Sequence, residues 1–365
     1  MVERLTRRAL NRALIVRQML VSRVESTPLR VIEHLVALQA QQARPPFVGL
    51  WSRIAGFQRQ DLRDLLNSGE IVRATLMRAT LHLMTRRDYF AFRPVLQPML
   101  SGAAQSILRD RLQSFDLNSV LTEGRRLFAE RPRTFTEVRS GLVAAFPDAD
   151  ERAMGYAVRL HLPLILAPEE HDWSFRADGD FGLIEGWSEE PDELSRNTRA
   201  LVLRYLATFG PASTADVQAW SGMRGLAPIL EELRPQLEVF RDERKRELFD
   251  LPDAARPSEE LEIPARFVAD FDNLVLSHAD RTRIIADEHR PIVVTKNGLV
   301  LPTILVDGFV AGTWKTAATR KIATLTISPF APLPEAAREE LAAEGEGLIR
   351  FVHPDVAGFD LRFEE

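Results

Sequence analysis

The chain contains no cysteine. That excludes a disulfide framework, a thiolate nucleophile, an iron–sulfur cluster and any cysteine-ligated zinc. Lysine is scarce too: Lys245, Lys296, Lys315 and Lys321 are the only four among 47 basic residues. The first eight residues hold no apolar core of a signal peptide. Apolar stretches such as residues 160–168 fall far short of a membrane span. The chain therefore reads as a cytoplasmic protein with no membrane partner. None of the seven histidines pairs at i, i+4, and no His-Glu-x-x-His occurs. There is no Gly-x-Ser-x-Gly, no Walker loop and no dinucleotide fingerprint after a strand. No metal and no cofactor are expected, and the common motif enzymes are disfavoured.

What is present is ordinary globular material. A length of 365 residues suggests two or three domains. Hydrophobic residues at 45% and charged residues at 27% argue against wholesale disorder. The net charge of −5 speaks against a nucleic-acid partner until it is divided. Residues 1–134 carry 22 Arg and no Lys against 11 acids, a net of +11, and the remainder carries −16. A basic N-terminal third on an acidic body suggests a face for a polyanion. The alternative is an arginine-rich composition with solvated helix faces.

Periodicity organises the chain. Leu10, Leu14 and Leu20 mark an amphipathic helix capped near Thr6. Ser26-Thr27-Pro28 is a cap followed by proline at the first helical position. The stripe Leu29, Ile32, Leu35, Val36 continues to Gln39, with Pro45-Pro46 beyond the helix end. A third helix is predicted near 60–66, then two strands at 71–76 and 80–84. Helices followed by a hairpin give the order of a winged helix, a helix-turn-helix variant. The order recurs. A helix over 87–114 leads to a capping box near Thr134, a helix over 151–162 and a hairpin from 164–166 with 173–184. It recurs again with a helix over 193–208, Ser213-Thr214-Ala215-Asp216-Val217 opening a short helix, a helix over 226–233 and strands at 237–240 and 246–251. Thr136-Glu137-Val138 and Thr214-Ala215-Asp216-Val217 head equivalent elements about 78 residues apart. From residue 262 the pattern turns β-rich, with hairpin turns at Asn297-Gly298 and Asp307-Gly308, a strand over 324–329 and a helix over 335–345.

One run is unusual: Gln39-Ala40-Gln41-Gln42-Ala43-Arg44. On the stripe, Gln39 would be a buried amide, which costs about 1–3 kcal/mol unless bonded. Either it caps the backbone at a helix end, or it works there. The run resembles the catalytic Gln-apolar-Gln/Asp-Gln motif of the AlkZ/YcaQ-type (HTH_42) DNA glycosylases. Further segments match that family's pattern: Leu76-Met77-Arg78-Ala79-Thr80-Leu81-His82, Ala219-Trp220-Ser221-Gly222, residues 273–283, and Val306-Asp307-Gly308 running to Gly312-Thr313-Trp314-Lys315. The resemblance spans nearly the whole chain. It implies an α+β fold of three tandem winged-helix domains plus a C-terminal β-rich domain, C-shaped around a basic channel. The boundaries expected are 1–115, 116–190, 191–260 and 261–365.

By that resemblance, Gln39 and Gln41 are catalytic and the partner is duplex DNA containing alkylated purines, bound by a monomer. Gln41 stands where some members carry Asp, which places the chain on the AlkZ-like branch, whose members remove bulky adducts and unhook crosslinks. A protective, self-resistance role would go with that. Glutamine neither gains nor loses a proton at neutral pH, but it donates and accepts hydrogen bonds. A guanine alkylated at N7 is already cationic, so it leaves as a neutral base without a general acid. The enzyme then has to hold the sugar and place a water. With no lysine near the motif, a monofunctional glycosylase is expected. Gln42, Arg44, Arg73, Arg78, His82, His278, Arg281 and Lys315 are candidate DNA contacts. The competing reading is a non-enzymatic winged-helix regulator or lesion sensor.

Overall fold

The computed structural model describes residues 2–364 except 177, 185 and 187–190, and the side chains of all of these but 191–195. The expected boundary at residue 190 lies outside the described residues.

Local signals set the first elements. The helix Arg7–Arg17 starts where the Thr6 hydroxyl accepts from the Ala9 N–H at 3.0 Å. The helix Pro28–His34 starts at Thr27 with proline in its first turn. It ends sooner than the stripe predicts. Val36 adopts φ +66°, a conformation that strains a β-branched residue. The chain then runs extended as the two-residue strand Leu38–Gln39. Gln39 is therefore on a strand rather than a helix, and Pro45-Pro46 open the next helix, Pro45–Trp51, instead of following the last. A long-range contact explains the turn: the Asn273 side chain donates to the Ala37 carbonyl at 3.0 Å, and Gln39 pairs with His82.

The hairpin Ile71–Thr75 and Leu81–Thr85 follows the helix Arg59–Asn67. It does not stand alone. A five-stranded sheet runs in the order 38–39, 81–85, 71–75, 164–166, 181–183. The strands expected in the first and second winged helices thus form one sheet, with Arg73 opposite Leu166. The expected 87–114 helix is Arg86–Leu108, followed by a 3-10 stretch Arg109–Ser114. The predicted capping box of Thr134 with Glu137 forms at the head of Phe135–Ala145, and Ser213 makes a second one with Asp216 at the head of Thr214–Ser221.

The C-terminal sheet orders its strands 358–363, 322–329, 309–318, 303–306, 266–268. The helix Glu335–Val352 packs on it. Asp307 and Gly308, at φ +47° and +79°, make the predicted tight turn. The turn at Asn297-Gly298 forms, but its strands do not. Residues Arg290–Val293 are helical, and a single bridge joins Val294 to Val300. Trp314 is core at 2% exposure, its indole N–H donating to the Val268 carbonyl at 3.0 Å. The fold is a mixed α and β architecture. Among the described residues, no helix is long and apolar enough to cross a membrane.

Candidate active site

The motif strand is held from two sides. On one side lies Leu81–Thr85: the Ala40 N–H donates to the Leu81 carbonyl at 2.7 Å, and the Gln41 Oε1 accepts from the Leu81 N–H at 3.2 Å. The Gln41 side chain thus continues the strand pairing where the backbone turns away. From the next strand, Arg73 reaches under the motif. Its Nε donates to the Ala40 carbonyl at 2.9 Å and its Nη2 to the Gln41 carbonyl at 3.3 Å. The Arg73 guanidinium lies 4.6 Å from the Phe175 ring. Arg73 is only 4% exposed, so it braces the glutamines rather than reaching for a phosphate. Burial lowers it to about 10, with Arg159 adding to the effect, so it stays charged at neutral pH.

Gln39 and Gln41 differ in setting. Gln39 is 7% exposed, and its Oε1 accepts from Arg78 Nη2 at 2.7 Å. Gln41 and Gln42 are exposed. They open onto a depression of about 370 Å³ whose wall includes Arg73, Arg159, Phe135, Phe175 and Phe181. Arg159 lies 5.6 Å from the Phe135 ring and 5.5 Å from the Phe181 ring. Burial lowers its pKa. Arg159 was missed in the sequence. The available signal was an arginine near a helix end with only Gly155, Tyr156, Leu162 and Pro163 at its helical neighbour positions.

Arg78 points inward. It occupies the turn between the two hairpin strands at φ +54°. Besides Gln39, its guanidinium donates to Asn273 Oδ1 at 3.0 Å and to the Trp220 carbonyl. His82 is wholly buried beside it, with Nε2 at 3.4 Å from Arg78 Nη2 and Nδ1 at 3.0 Å from the Thr80 carbonyl. Since arginine only donates, Nε2 accepts and Nδ1 carries the proton. Burial, then the Arg78 charge, pushes His82 down to about 3. It is neutral, and cannot meet a phosphate from where it lies.

His278 is likewise interior. Its ring bonds Ser277 Oγ and the Phe209 carbonyl, each at 3.0 Å. Burial and Arg283 push it down to about 3. Neither histidine is a surface DNA contact, because strand and loop packing closes over both rings. Arg281 is half-buried, donates to the His278 carbonyl at 3.4 Å and has an interior Nη1 without a protein partner. Arg44 pairs with Asp270 at 3.4 Å. Lys315 is exposed and pairs with Glu364 at 3.0 Å, with no hydrogen bond to the glutamine cluster. Of the residues expected from the sequence, the fold joins Gln39, Gln41, Arg73, Arg78 and His82 into one network. Among the described residues, no group of histidines and carboxylates is arranged to hold a metal.

Known proteins share this arrangement of elements. The solved Streptomyces sahachiroi DNA glycosylase AlkZ superposes with a TM-score of 0.80 over 99% of this chain and 100% of that one, at 19% identity. At that identity the likeness concerns the fold. An interstrand DNA cross-link repair glycosylase of Streptomyces sahachiroi is 26% identical over 179 residues, 45% of this chain and 45% of that protein. The match thus spans less than half of that relative. A family described as DNA glycosylase AlkZ-like matches residues 32–351. That stretch holds the glutamine motif, the Arg78 turn, Trp220 and Asn273, and the chain belongs to the AlkZ-like DNA glycosylase family.

Proposed function

We propose that this protein hydrolyses the N-glycosidic bond of N7-alkylated purines in duplex DNA, with Gln39 and Gln41 positioning the water and the lesion. The observation that carries the reading is the pair of glutamines fixed at the end of one strand. Among the described residues, no carboxylate hydrogen-bonds either of them. Such a site suits a leaving group that needs no proton. The C1′–N9 electron pair moves into the cationic purine, which departs neutral. Water bonds to C1′, and its proton passes to solvent. Fixed dipoles stabilise that charge movement without titrating. Among the described residues, no lysine hydrogen-bonds the glutamine network, so release without strand cleavage is expected.

The architecture proposed to present this site is three tandem winged helices and the C-terminal β-domain, C-shaped around a basic channel, acting as a monomer on duplex DNA. The repeated capping boxes of Thr134 and Ser213 support the repeat. Gln42, Arg44 and Arg281 remain candidate DNA contacts, since each keeps some exposure. Bulky adducts and crosslinks are the substrates favoured by the Gln/Gln motif and by the open ground beside Gln41. The test is incubation with duplexes carrying a panel of N7-alkylguanines, from methyl to bulky. Released base and alkali-labile abasic sites are expected. A sequence-specific footprint with no abasic product would favour a winged-helix regulator instead.

A further inference from the structure

Three of the segments that carry the family resemblance, residues 76–82, 219–222 and 273–283, contain neither Gln39 nor Gln41. In the folded protein all three meet at the guanidinium of Arg78. Residues 76–82 supply Arg78 itself, at φ +54°. Trp220 supplies a carbonyl and Asn273 a side-chain oxygen at 3.0 Å. Asn273 also donates to the Ala37 carbonyl, two residues before Gln39. Gly222, at φ +78°, lies so close that a Cβ there would sit 3.1 Å from the Arg78 backbone. Its backbone approach requires glycine. The turn is thus fixed from three directions, and the guanidinium meets Gln39 Oε1 at 2.7 Å.

An arginine has donors and no acceptor. The Gln39 atom that faces it must be the oxygen, so the amide NH₂ faces away. Among the described residues, that NH₂ donates to no protein group. A free glutamine amide turns over between two orientations, and the Arg78 contact selects one. We propose that Arg78 is a positioning residue that locks the Gln39 amide with Nε2 toward the lesion, so that Gln39 donates a hydrogen bond to the departing purine and Gln41 accepts the one from water. This rests on the glycosylase reading given above. As the C1′–N9 pair enters the purine ring, the acceptors N3 and O6 grow more basic, and a fixed donor there is strengthened in the transition state. Gln41 Oε1, held at 3.2 Å by the Leu81 N–H, has a second lone pair for the water. The proton of that water leaves to solvent.

The test is single-turnover base release from an N7-methylguanine duplex, read beside duplex affinity and thermal stability. At saturating protein, Arg78→Met is expected to slow release by about 10²-fold while duplex affinity stays within about threefold. Arg78→Lys should recover part of the rate. On a Gln39→Met background, Arg78→Met should cost little more, because both remove the same interaction. Gln39→Glu, a better base with no donor, should be as slow as Gln39→Met. Wild-type release by Arg78→Met, independent multiplying losses, or an active Gln39→Glu overturns the proposal. If Arg78→Met does not fold, the same cycle is run with Arg78→Lys. If the wild-type protein releases no purine from any adduct, the glycosylase reading fails. The lock is then read from side-chain NMR of the folded protein. Slowly exchanging Arg78 Nη protons that are lost in Gln39→Met support it, and Arg78 Nη protons unaffected by that substitution overturn it.

Discussion

Two sets of arginines in this molecule behave in opposite ways. Arg8 and Arg12 pair with Asp307, Arg17 with Asp250, Arg23 with Glu344, Arg44 with Asp270 and Arg53 with Asp272. These ties bind the basic N-terminal segment to the acidic C-terminal one. Arg73, Arg78, Arg159 and Arg281 form no ion pair with a carboxylate among the described residues. Their partners are carbonyls, amides, rings and, for Arg159, the Thr75 hydroxyl at 3.4 Å. The sequence charges of +11 and −16 thus divide in two. One part is satisfied within the fold. The other has no carboxylate beside it: Arg73 and Arg78 brace the motif from inside, and Arg159 lines the depression beside Gln41. The second set is held at a cost in desolvation, since burial lowers Arg73, Arg78 and Arg281 to about 10 each. All three remain charged at neutral pH.

The contrast is broken most severely at Arg53. Its bidentate contact with Asp272, at 2.9 and 3.0 Å, is fully buried. Arg53→Ala strands the Asp272 carboxylate, which caps the helix Asn273–Leu276 by accepting from the Leu274 N–H at 2.9 Å, and should cost about 3–5 kcal/mol in denaturant unfolding. The next effect is on acid stability. His82 and His278 titrate near 3 in the folded protein, against about 6.5 unfolded. Below about 6.5 the unfolded chain therefore binds protons that the folded one refuses, and stability falls as pH drops toward 3. His278→Gln should flatten that decline in unfolding curves measured between pH 7.5 and 5. Neither histidine titrates between pH 6 and 8, so base release should show no inflection from them there. Arg159→Gln sharpens the comparison on the carboxylate-free side. If Arg159 meets a phosphate, the slope of log affinity against log salt should shrink by roughly one. An unchanged slope assigns Arg159 to its rings and the Thr75 hydroxyl. Smallest is Lys315→Gln, which removes an exposed pair and should change stability by less than about 1 kcal/mol.

Local chemistry was legible in the sequence. Thr6, Thr27-Pro28, Thr134 and Ser213 each cap the helix they announce, and Asp307-Gly308 makes the turn its dipeptide specifies. Gln39 stands out as an amide where the stripe asks for an apolar residue, and the motif resemblance adds Gln41. What could not be read depends on distant partners. The helix stripe runs through Val36 to Gln39 on paper, yet the Asn273 contact and His82 pairing pull the chain into a strand. The Asn297-Gly298 turn survives while its flanks fail, because Arg290–Val293 takes a helical turn. The strand Gly358–Phe363 pairs parallel with Ile322–Pro329 across the helix between them, and no local signal marks that. Arg78 looks like one more basic residue on a wing. Only the folded chain brings Trp220, Asn273 and Gln39 to it. Arg159 likewise gains its meaning from rings more than twenty residues away in either direction.

The most direct test of the glutamine chemistry is the single-turnover rate of base release from one N7-alkylguanine duplex by wild-type protein, Gln39→Ala and Gln41→Ala, each at saturating protein. If the two amides carry the reaction, each substitution slows release by about 10²–10³-fold while duplex affinity and thermal unfolding stay near wild type. Release at the wild-type rate by either variant, with the fold intact, would contradict it.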